Sequence, residues 1–420
     1  MGFADLYLNK QIDFKNKIAD NPRTDLRFIV VIPCFNEPDV LKTLESLKNT
    51  IRTKSAAEVI IVINSSLKTN QEIIDQNKRT YTEVKGWIEQ NSDSSLSFFV
   101  LLEENLNDKF AGAGLARKLG MDQAVARFNT INASNGVIIS LDADSTVKTD
   151  YLTEIEKHFN SYPKTNALSS YFEHPLEGES FDESIYHAIS VYELYLRYYK
   201  SALNYSGFPY AFHTIGSCFS VSARAYLKQG GMNRKQAGED FYFLHKIFPL
   251  GECYELDTSC VYPSPRISDR VPFGTGPMVK SIAHSKDPFL TYAFQSFLDL
   301  KSFFQQLDCF YKIDMLELND LLYQLPLPVV DFLSQNEVHS ALEEINKNSS
   351  GLKTFRKRFF NWFNAFMVLK YLNATAEKFY PKTDLLGEAE KLLITMNPGF
   401  KPYKNYKSYL QLFRQFERGF

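Results

Sequence analysis

The sequence predicts an α/β fold in which helices flank a Rossmann-like mixed sheet, followed by a mostly helical C-terminal lobe. Short β-branched runs alternate with longer amphipathic stretches from residue 28 to residue 141, and apolar residues recur at helical spacing after residue 278. The length of 420 residues also exceeds the usual size of one domain. We therefore predict a helical N-terminal extension over residues 1–27, an α/β domain over residues 28–277 and a helical lobe over residues 278–420.

The elements of the first half alternate in the order expected of a parallel sheet with helices on both faces. The predicted strands are Phe28–Ile32, Val59–Ile63, Phe98–Leu102 and Val137–Leu141, and the predicted helices are Val40–Leu47, a long segment ending at Glu89, and Gly114–Phe128. After residue 150 the pattern loosens. There it predicts a helix around Tyr186–Tyr199, strands near Ala167–Phe172 and Ser217–Val221, and a loop rich in proline and glycine over residues 263–277.

Composition and charge exclude several classes of function. The net charge is −2 and no acidic or basic block occurs, so no nucleic-acid partner is expected. The longest apolar runs fall far short of the roughly 20 residues needed to span a bilayer, and the scattered cysteines favour reduced thiols. These features predict a cytoplasmic protein and leave peripheral contact with a membrane open. The basic and aromatic segment Phe355–Met367 is a candidate for that contact, but packing in a helical core is the favoured interpretation.

Two carboxylates, Asp142 and Asp144, directly follow the apolar strand that ends at Leu141. Open α/β sheets bind ligands at the carboxyl ends of their strands. Two hard oxygen ligands one residue apart suit a divalent cation, Mn²⁺ or Mg²⁺, which can neutralise a diphosphate leaving group. An aspartate after a strand is also a common helix cap, so the context of the pair has to decide between the two interpretations.

The loops after the first two strands are candidates for binding a nucleotide base. Pro33, Phe35, Asn36 and Glu37 close the first strand, and Asn64 ends the second in the same layer of the sheet. Polar and backbone groups in such loops can hold a base by its edge. The alternative is an ordinary turn after the first strand and a helix-capping asparagine after the second.

Two glycine-containing segments bring positive charge to the same region of the sequence. Gly114 permits close backbone approach at the start of a helix, and Arg117 supplies charge suited to phosphate or ribose oxygens. Arg266 and Arg270 lie in the loop after residue 263 and can close over a diphosphate as a lid. The alternatives are a plain loop, a solvated helix face and a surface linker.

Glu239 and Asp240 begin an apolar-periodic helix about a hundred residues beyond the carboxylate pair. Carboxylates at this position complement the helix dipole. Both residues are also candidate catalytic residues, because a carboxylate here can accept a proton from an attacking hydroxyl, and the helix start would hold it in place for that role.

Taken together, these motifs resemble the family 2 glycosyltransferases, which have a GT-A fold and use nucleotide-sugar donors. The resemblance covers Phe28 to Ser268 and rests on P-C-F-N-E at residues 33–37, G-A-G-L-A-R at 112–117, D-A-D at 142–144, and G-G-M with G-E-D at 230–240. It implies a UDP- or GDP-linked donor whose base is held by the loops at Pro33 and Asn64, with Asp142 touching ribose or metal. It further implies that Asp144 ligates the cation and that Asp240 is the base of an inverting enzyme.

The chain departs from this pattern in two places. Asn64 stands where many members have an acidic residue that contacts the base, so the identity of the base stays open. The Q-x-x-R-W signature of processive synthases does not occur, which predicts a non-processive enzyme acting on a glycan, a lipid-linked acceptor or a small molecule. Two other classes remain as alternatives: a sugar-nucleotide pyrophosphorylase and a non-catalytic nucleotide-sugar-binding protein. The sequence does not determine the oligomeric state.

Overall fold

A computed structural model describes residues 2–11, 14–235, 238–268, 270 and 274–419, and it confirms the predicted α/β fold class. Eight strands form one mixed sheet in the order β3-β2-β1-β4-β7-β6-β8-β5. They are β1 (Leu26–Cys34), β2 (Ala56–Ser66), β3 (Leu96–Leu106), β4 (Val137–Ser140), β5 (Ser145–Val147), β6 (Ala167–Phe172), β7 (Phe219–Ser222) and β8 (Cys253–Pro263). A separate antiparallel pair joins β9 (Leu290–Thr291) to β10 (Thr383–Asp384).

Helices account for most of the remaining described residues. Those before residue 285 are α1 (Asp5–Leu8), α2 (Val40–Lys48), α3 (Gln71–Asn91), α4 (Ala113–Thr130), α5 (Tyr151–Ser161), α6 (Glu183–Tyr205), α7 (Ala223–Lys228), α8 (Glu239–Ile247) and α9 (Thr275–His284). Those after it are α10 (Phe294–Gln305), α11 (Met315–Tyr323), α12 (Leu327–Gln335), α13 (Val338–Lys347), α14 (Leu352–Trp362), α15 (Ala365–Lys378), α16 (Leu385–Met396) and α17 (Tyr406–Glu417).

The predicted parallel half of the sheet consists of β1 to β4. β1 pairs in parallel with β2 and β4, and β2 pairs in parallel with β3. β1 and β2 are buried along almost their whole length because both faces of central parallel strands are covered. β7 then pairs antiparallel with β4, which makes the sheet mixed. The carboxyl ends of β1, β2 and β4 therefore lie at one edge of the sheet.

Two strands of the eight-stranded sheet, β5 and β8, were not predicted from the sequence, and neither was the short pair β9 and β10. β5 has only three residues, and β8 carries polar residues and ends at a proline, so neither shows the apolar run of a buried strand. Pairing explains both: β8 pairs in parallel with β6 and antiparallel with β5. Part of the loop predicted over residues 263–277 is α9, which begins at Thr275, and residues 269 and 271–273 lie outside the described part of the chain.

Helix α4 packs closely against the centre of the sheet. It contacts β1 and β2, and a Cβ atom on Gly120 would lie 2.4 Å from Val31 Cγ1. Glycine at this position therefore allows the helix backbone to approach the strand. Because α4 is buried along most of its length, Arg117 near its start is held inside the protein.

The chain forms two compact units. Unit 1 comprises residues 1–186 and 214–280, and unit 2 comprises residues 187–213 and 281–420. The division near residue 280 lies close to the predicted start of the helical lobe, but residues 187–213, which the sequence assigned to the α/β domain, cluster with the helical unit instead. In unit 2, Phe355, Phe359 and Phe363 are buried, which confirms that the aromatic segment packs in a core.

The N-terminal segment is less helical than its amphipathic sequence predicts. Among described residues before β1, α1 is a single turn, and residues 14–25 follow an irregular path. Lys17 in this path donates its backbone N–H to Gln123 Oε1 and forms an ion pair with Glu103 at 2.7 Å, so contacts with the α/β unit replace helical hydrogen bonds. No helix in the described part of the chain is long and apolar enough to cross a membrane.

Candidate active site

The site lies at the sheet edge where β1, β2 and β4 end. Asp142 and Asp144 follow β4, and their side chains remain 37% and 25% exposed. Glu37 follows β1 and is fully buried. Asp240 lies in the first turn of α8. The structure thus brings together carboxylates that are far apart in the sequence, and arginines connect them.

Arg117 joins the carboxylates of the β4 loop to those of α8. Its guanidinium donates to Asp142 Oδ1 at 2.6 Å, to Ser140 Oγ at 2.9 Å and to Glu239 Oε1. The Arg117 side chain is only 2% exposed, and Glu239 is buried with it. Arg117 therefore positions other side chains, and its burial together with Glu239 favours this role over direct contact with a ligand for both residues.

Arg266 and Arg270 form a second connection, between Glu37 and Asp144. Arg266 contacts both oxygens of Glu37 and donates to Asp144 Oδ2 at 2.7 Å. Arg270 donates to Glu37 Oε2 at 2.9 Å and lies 3.2 Å from Asp144 Oδ2. Both arginine side chains are about one quarter exposed, so they can contact a ligand. The buried Glu37 carboxylate holds both of them in place.

Asp240 lies close to Arg117 beside Gly216. A Cβ atom on Gly216 would lie 2.6 Å from Arg117 Nη2 and 3.2 Å from Asp240 Oδ2, so both groups lie beside the space that a side chain at residue 216 would fill. Asp240 Oδ1 accepts the backbone N–H of Phe241 at 2.7 Å, which fixes the carboxylate at the start of α8. Asp240 is half-buried and retains a second oxygen that can accept a proton.

Burial raises the pKa of two carboxyls in the site. The pKa of Asp144 rises to about 6; the charge of Arg266 opposes the shift, and Asp142 and Glu37 reinforce it. Burial also raises the pKa of Asp240, against the stabilising charge of Arg117 and with reinforcement from Asp142. A carboxyl whose pKa is raised towards neutrality holds a transferred proton more readily than an ordinary aspartate does.

Gly114 serves a different purpose from the one its motif indicates. A Cβ atom there would lie 2.0 Å from the backbone oxygen of Lys235 and 3.0 Å from Glu239 Cβ. The glycine therefore admits the segment that leads into α8, and this close packing is what places Glu239 beside Arg117. This packing favours a structural role for Gly114 over the approach of a phosphate.

The loop residues after β1 and β2 mostly support one another. Asn64 is buried, and its Nδ2 donates to the Cys34 carbonyl at 3.1 Å. Asn77 then accepts the backbone N–H of Asn36 at 2.9 Å and donates to the Asn64 carbonyl at 2.9 Å. Asn64 therefore connects the ends of β1 and β2 by hydrogen bonds. This favours a structural role for Asn64 over direct contact with a base.

Pro33 and Phe35 differ in how far they can reach a ligand. Pro33 is buried within β1, opposite Val62 of β2, so it belongs to the sheet and not to the loop. Phe35 is half-buried, and its carbonyl accepts from Arg270 Nη1 at 3.1 Å. Asn36 has a φ of 49°, a left-handed conformation that asparagine tolerates better than most residues. Phe35 and Asn36 are thus the members of this loop that remain near the surface.

The carboxylate pair has the chemistry of a divalent-cation site that a ligand completes. No group of three His, Cys, Asp or Glu side chains suited to a metal occurs among the described residues. Asp142 meets Arg117 through Oδ1, and Asp144 meets the arginine pair through Oδ2, so each carboxylate has a second oxygen. Mg²⁺ and similar ions are commonly held by one or two carboxylates together with substrate phosphates and water. The residues present fit such a cation.

Comparisons with known proteins give distant structural likenesses. The chain is similar to S. aureus TarS (residues 1–349) in complex with UDP-GlcNAc, at 14% identity over 80% of this chain and 89% of that chain, with a TM-score of 0.41. It is similar to GalNAc-T7 with UDP, GalNAc and Mn²⁺ at 16% identity over 58% of this chain and 44% of that one, with a TM-score of 0.37. No protein-family model and no curated protein sequence matches the chain. The functional assignment therefore depends on the site itself.

Proposed function

We propose that the protein is a glycosyltransferase that moves a sugar from a nucleoside-diphosphate sugar to an acceptor hydroxyl, with inversion and without processive synthesis. One observation carries the proposal: Asp142 and Asp144 follow β4 and are bound by Arg117 and Arg266, and Asp240 lies within electrostatic reach of Arg117 and Asp142. A diphosphate donor requires positive charge beside the leaving group, and a nucleophilic hydroxyl requires a proton acceptor. The site supplies both.

The arginine pair supplies the positive charge. Arg266 and Arg270 are held by Glu37, and their exposed parts lie beside Asp144. Guanidinium groups bind phosphate oxygens through paired hydrogen bonds, which replace water lost from a diphosphate. Charge that develops on the leaving nucleoside diphosphate would be stabilised by these two side chains.

Asp142 and Asp144 are the residues that would hold a divalent cation, Mn²⁺ or Mg²⁺, in this enzyme. When bound, the cation would neutralise the charge of the diphosphate. For Asp144 to use both oxygens on a cation, its Oδ2 has to part from the arginine pair. Glu37 would retain both arginines when this happens, because it contacts each of them independently of Asp144.

Asp240 is the proposed base. The acceptor oxygen attacks the anomeric carbon, the bond between that carbon and the diphosphate oxygen breaks, and the hydroxyl proton passes to the Asp240 carboxylate. The raised pKa of Asp240 suits a group that must accept and keep this proton until it returns to water. Glu239, the other acidic residue of this turn, is engaged by Arg117 and would position the turn.

The test compares Asp240→Asn with the wild type. Removing a general base lowers the rate by about 10²- to 10⁴-fold, while binding of the nucleoside diphosphate should stay within about twofold because asparagine keeps the shape of the side chain. The control is Asp75→Asn, an exposed aspartate on α3. Turnover is measured as nucleoside diphosphate released from UDP-, GDP- and dTDP-sugars with Mn²⁺ and a panel of acceptors.

The same assay separates the proposal from its alternatives. A pyrophosphorylase given the donor and pyrophosphate would form a nucleoside triphosphate, and a non-catalytic binding protein would release nothing from any donor. Wild-type turnover in Asp240→Asn would show that the base is wrongly assigned. The configuration of the product, read by proton NMR, tests inversion separately.

A further inference from the structure

A basic groove in unit 1 lies away from the candidate active site. It has a volume of about 750 Å³ and is lined partly by α1, α7 and the residue Ser134. Ser134 precedes β4, and α7 follows the end of β7, which is antiparallel to β4. The groove is therefore at the amino end of β4, whereas the candidate active site follows its carboxyl end.

Three cations line the groove without a neutralising acid. They are Lys10, Arg224 and Lys228, and none of the described lining residues is acidic. Arg224 donates to Ser134 Oγ at 2.9 Å, which is a neutral partner. The three like charges repel one another across the groove, and an anion bound among them would relieve this repulsion.

Two carboxylates near α1, Asp5 and Asp122, are already engaged by other partners. Asp5 accepts from the backbone N–H of Gly2 at 2.6 Å and from Asn129 Nδ2 at 2.7 Å. Asp122 accepts from the hydroxyls of Tyr7 and Tyr226, both at 2.7 Å, and from Lys118 Nζ. These hydrogen bonds satisfy both acids, and the contact with Asp122 fixes the position of Tyr7, which lines the groove.

The apolar part of the lining is exposed beside the cations. Leu6 is 72% exposed, and Phe3 and Leu227 contribute further apolar surface. A free phosphate ion would use the cations and leave these side chains in water. An anionic lipid would use both, because its phosphodiester meets the cations and its glycerol and upper acyl region meet the apolar side chains.

We propose that this groove docks the protein on a membrane surface by binding the phosphodiester headgroup of an anionic phospholipid. Lys10, Arg224 and Lys228 bind the phosphate, and Leu6 enters the interface between headgroups and acyl chains. The contact is peripheral, and it is separate from the aromatic helix α14, whose phenylalanines pack in the core of unit 2. This inference stands independently of the proposed sugar transfer.

The test uses the full chain and sedimentation with vesicles of phosphatidylcholine, with or without 30% phosphatidylglycerol, a composition chosen for its anionic charge (about one lipid in three). A Lys or Arg near an anionic surface strengthens binding about fivefold, so the triple variant Lys10→Ala, Arg224→Ala, Lys228→Ala should bind about 100-fold more weakly. Leu6→Ser should also weaken binding to anionic vesicles. Raising the salt concentration should also weaken binding to anionic vesicles.

A matched control removes three exposed lysines elsewhere in unit 1: Lys42→Ala, Lys68→Ala, Lys157→Ala, whose side chains are 74%, 84% and 70% exposed. This variant has the same change in net charge and should bind anionic vesicles within a few-fold of the wild type. An equal loss in the control would overturn the proposal, because non-specific charge would then explain binding. So would equal binding to both kinds of vesicle, an unaffected groove variant, or displacement from vesicles by millimolar inorganic phosphate, which would indicate a soluble anion.

Discussion

Among single residues, the arginines determine how the site is arranged. Arg117 is enclosed by protein partners, while Arg266 and Arg270 keep about one quarter of their side chains exposed. All three meet carboxylates through planar guanidinium groups, a geometry that lysine does not reproduce. The difference in exposure separates a positioning role for Arg117 from a ligand-binding role for the other two.

Arg266→Lys tests that role, because it keeps the charge and removes the fork that contacts Glu37 and Asp144. A charge-assisted hydrogen bond contributes about 1.5–3 kcal/mol, so affinity for the nucleoside diphosphate should fall about 10- to 100-fold. Affinity for the nucleoside monophosphate should change little. Calorimetric titration of both ligands gives the comparison, with Arg79→Lys on the exposed face of α3 as control. Equal losses for the two ligands would contradict a contact at the terminal phosphate.

The sequence predicted which carboxylates belong to the site, but it did not predict which residues they contact. Asp142 and Asp144 could be located because they follow a recognisable apolar strand. The contact between Arg117 and Glu239 joins residues 122 positions apart and depends on Gly114 admitting the chain before α8. No local pattern encodes such a contact. Gly216 leaves the space in which Arg117 and Asp240 lie close together, and no sequence motif marks this glycine.

At the scale of elements, strand burial explains which parts of the fold the sequence predicts. β1, β2 and β4 are buried on both faces and therefore appear as continuous β-branched runs. β5 and β8 owe their strand conformation to pairing with neighbours, so their polar sequences carry little periodicity. The antiparallel placement of β7 likewise depends on tertiary pairing, which local propensity does not determine.

Helix α8, which carries Asp240, should respond to acid through His245. The His245 ring packs against Phe241 at a centroid distance of 4.3 Å, and burial lowers its pKa to about 3. The unfolded chain, with an imidazole pKa of about 6.5, therefore binds a proton at a higher pH than the folded protein does. Stability from the neutral ring is present above about pH 6.5 and is lost as the pH falls towards 3.

We expect His245 to lower the free energy of unfolding of the wild type by about 1.4 kcal/mol for each pH unit below about 6. His245→Phe keeps an aromatic ring and removes the titration, so its stability relative to the wild type should increase as the pH falls from 7 to 5. Urea unfolding at several pH values measures the difference. A difference that does not change with pH would show that the ring titrates normally in the folded protein.

At the scale of the whole molecule, each unit contains its own buried ion pairs. In unit 1, Arg127 holds Glu58 in the sheet. In unit 2, Arg197 joins Glu193 of α6 to Glu417 at the end of α17. Burial opposes ionisation of Glu417, but the charges of His213 and Arg197 outweigh it and hold the pKa of this carboxyl well below its usual range. His213 is thus a partner of Glu417 within unit 2.

The two tryptophans allow the units to be followed separately, because Trp87 lies in unit 1 and Trp362 in unit 2. Removing one partner of a buried pair costs about 3–5 kcal/mol. Glu417→Gln in a Trp87→Phe background should therefore lower the urea midpoint reported by Trp362. Glu58→Gln in a Trp362→Phe background should lower the midpoint reported by Trp87. A Trp362 midpoint that Glu417→Gln leaves unchanged would show that the buried pair does not stabilise unit 2.

The central claim is that the carboxylates after β4 bind a nucleoside diphosphate through a divalent cation, and calorimetric titration of Asp144→Asn tests it most directly. With Mn²⁺ present, the wild type should bind at least one of UDP, GDP and dTDP. The variant should bind that ligand at least tenfold more weakly, because a neutral amide replaces the anionic ligand of the cation. Unchanged affinity in Asp144→Asn, or no binding of any of the three by the wild type, would contradict the claim.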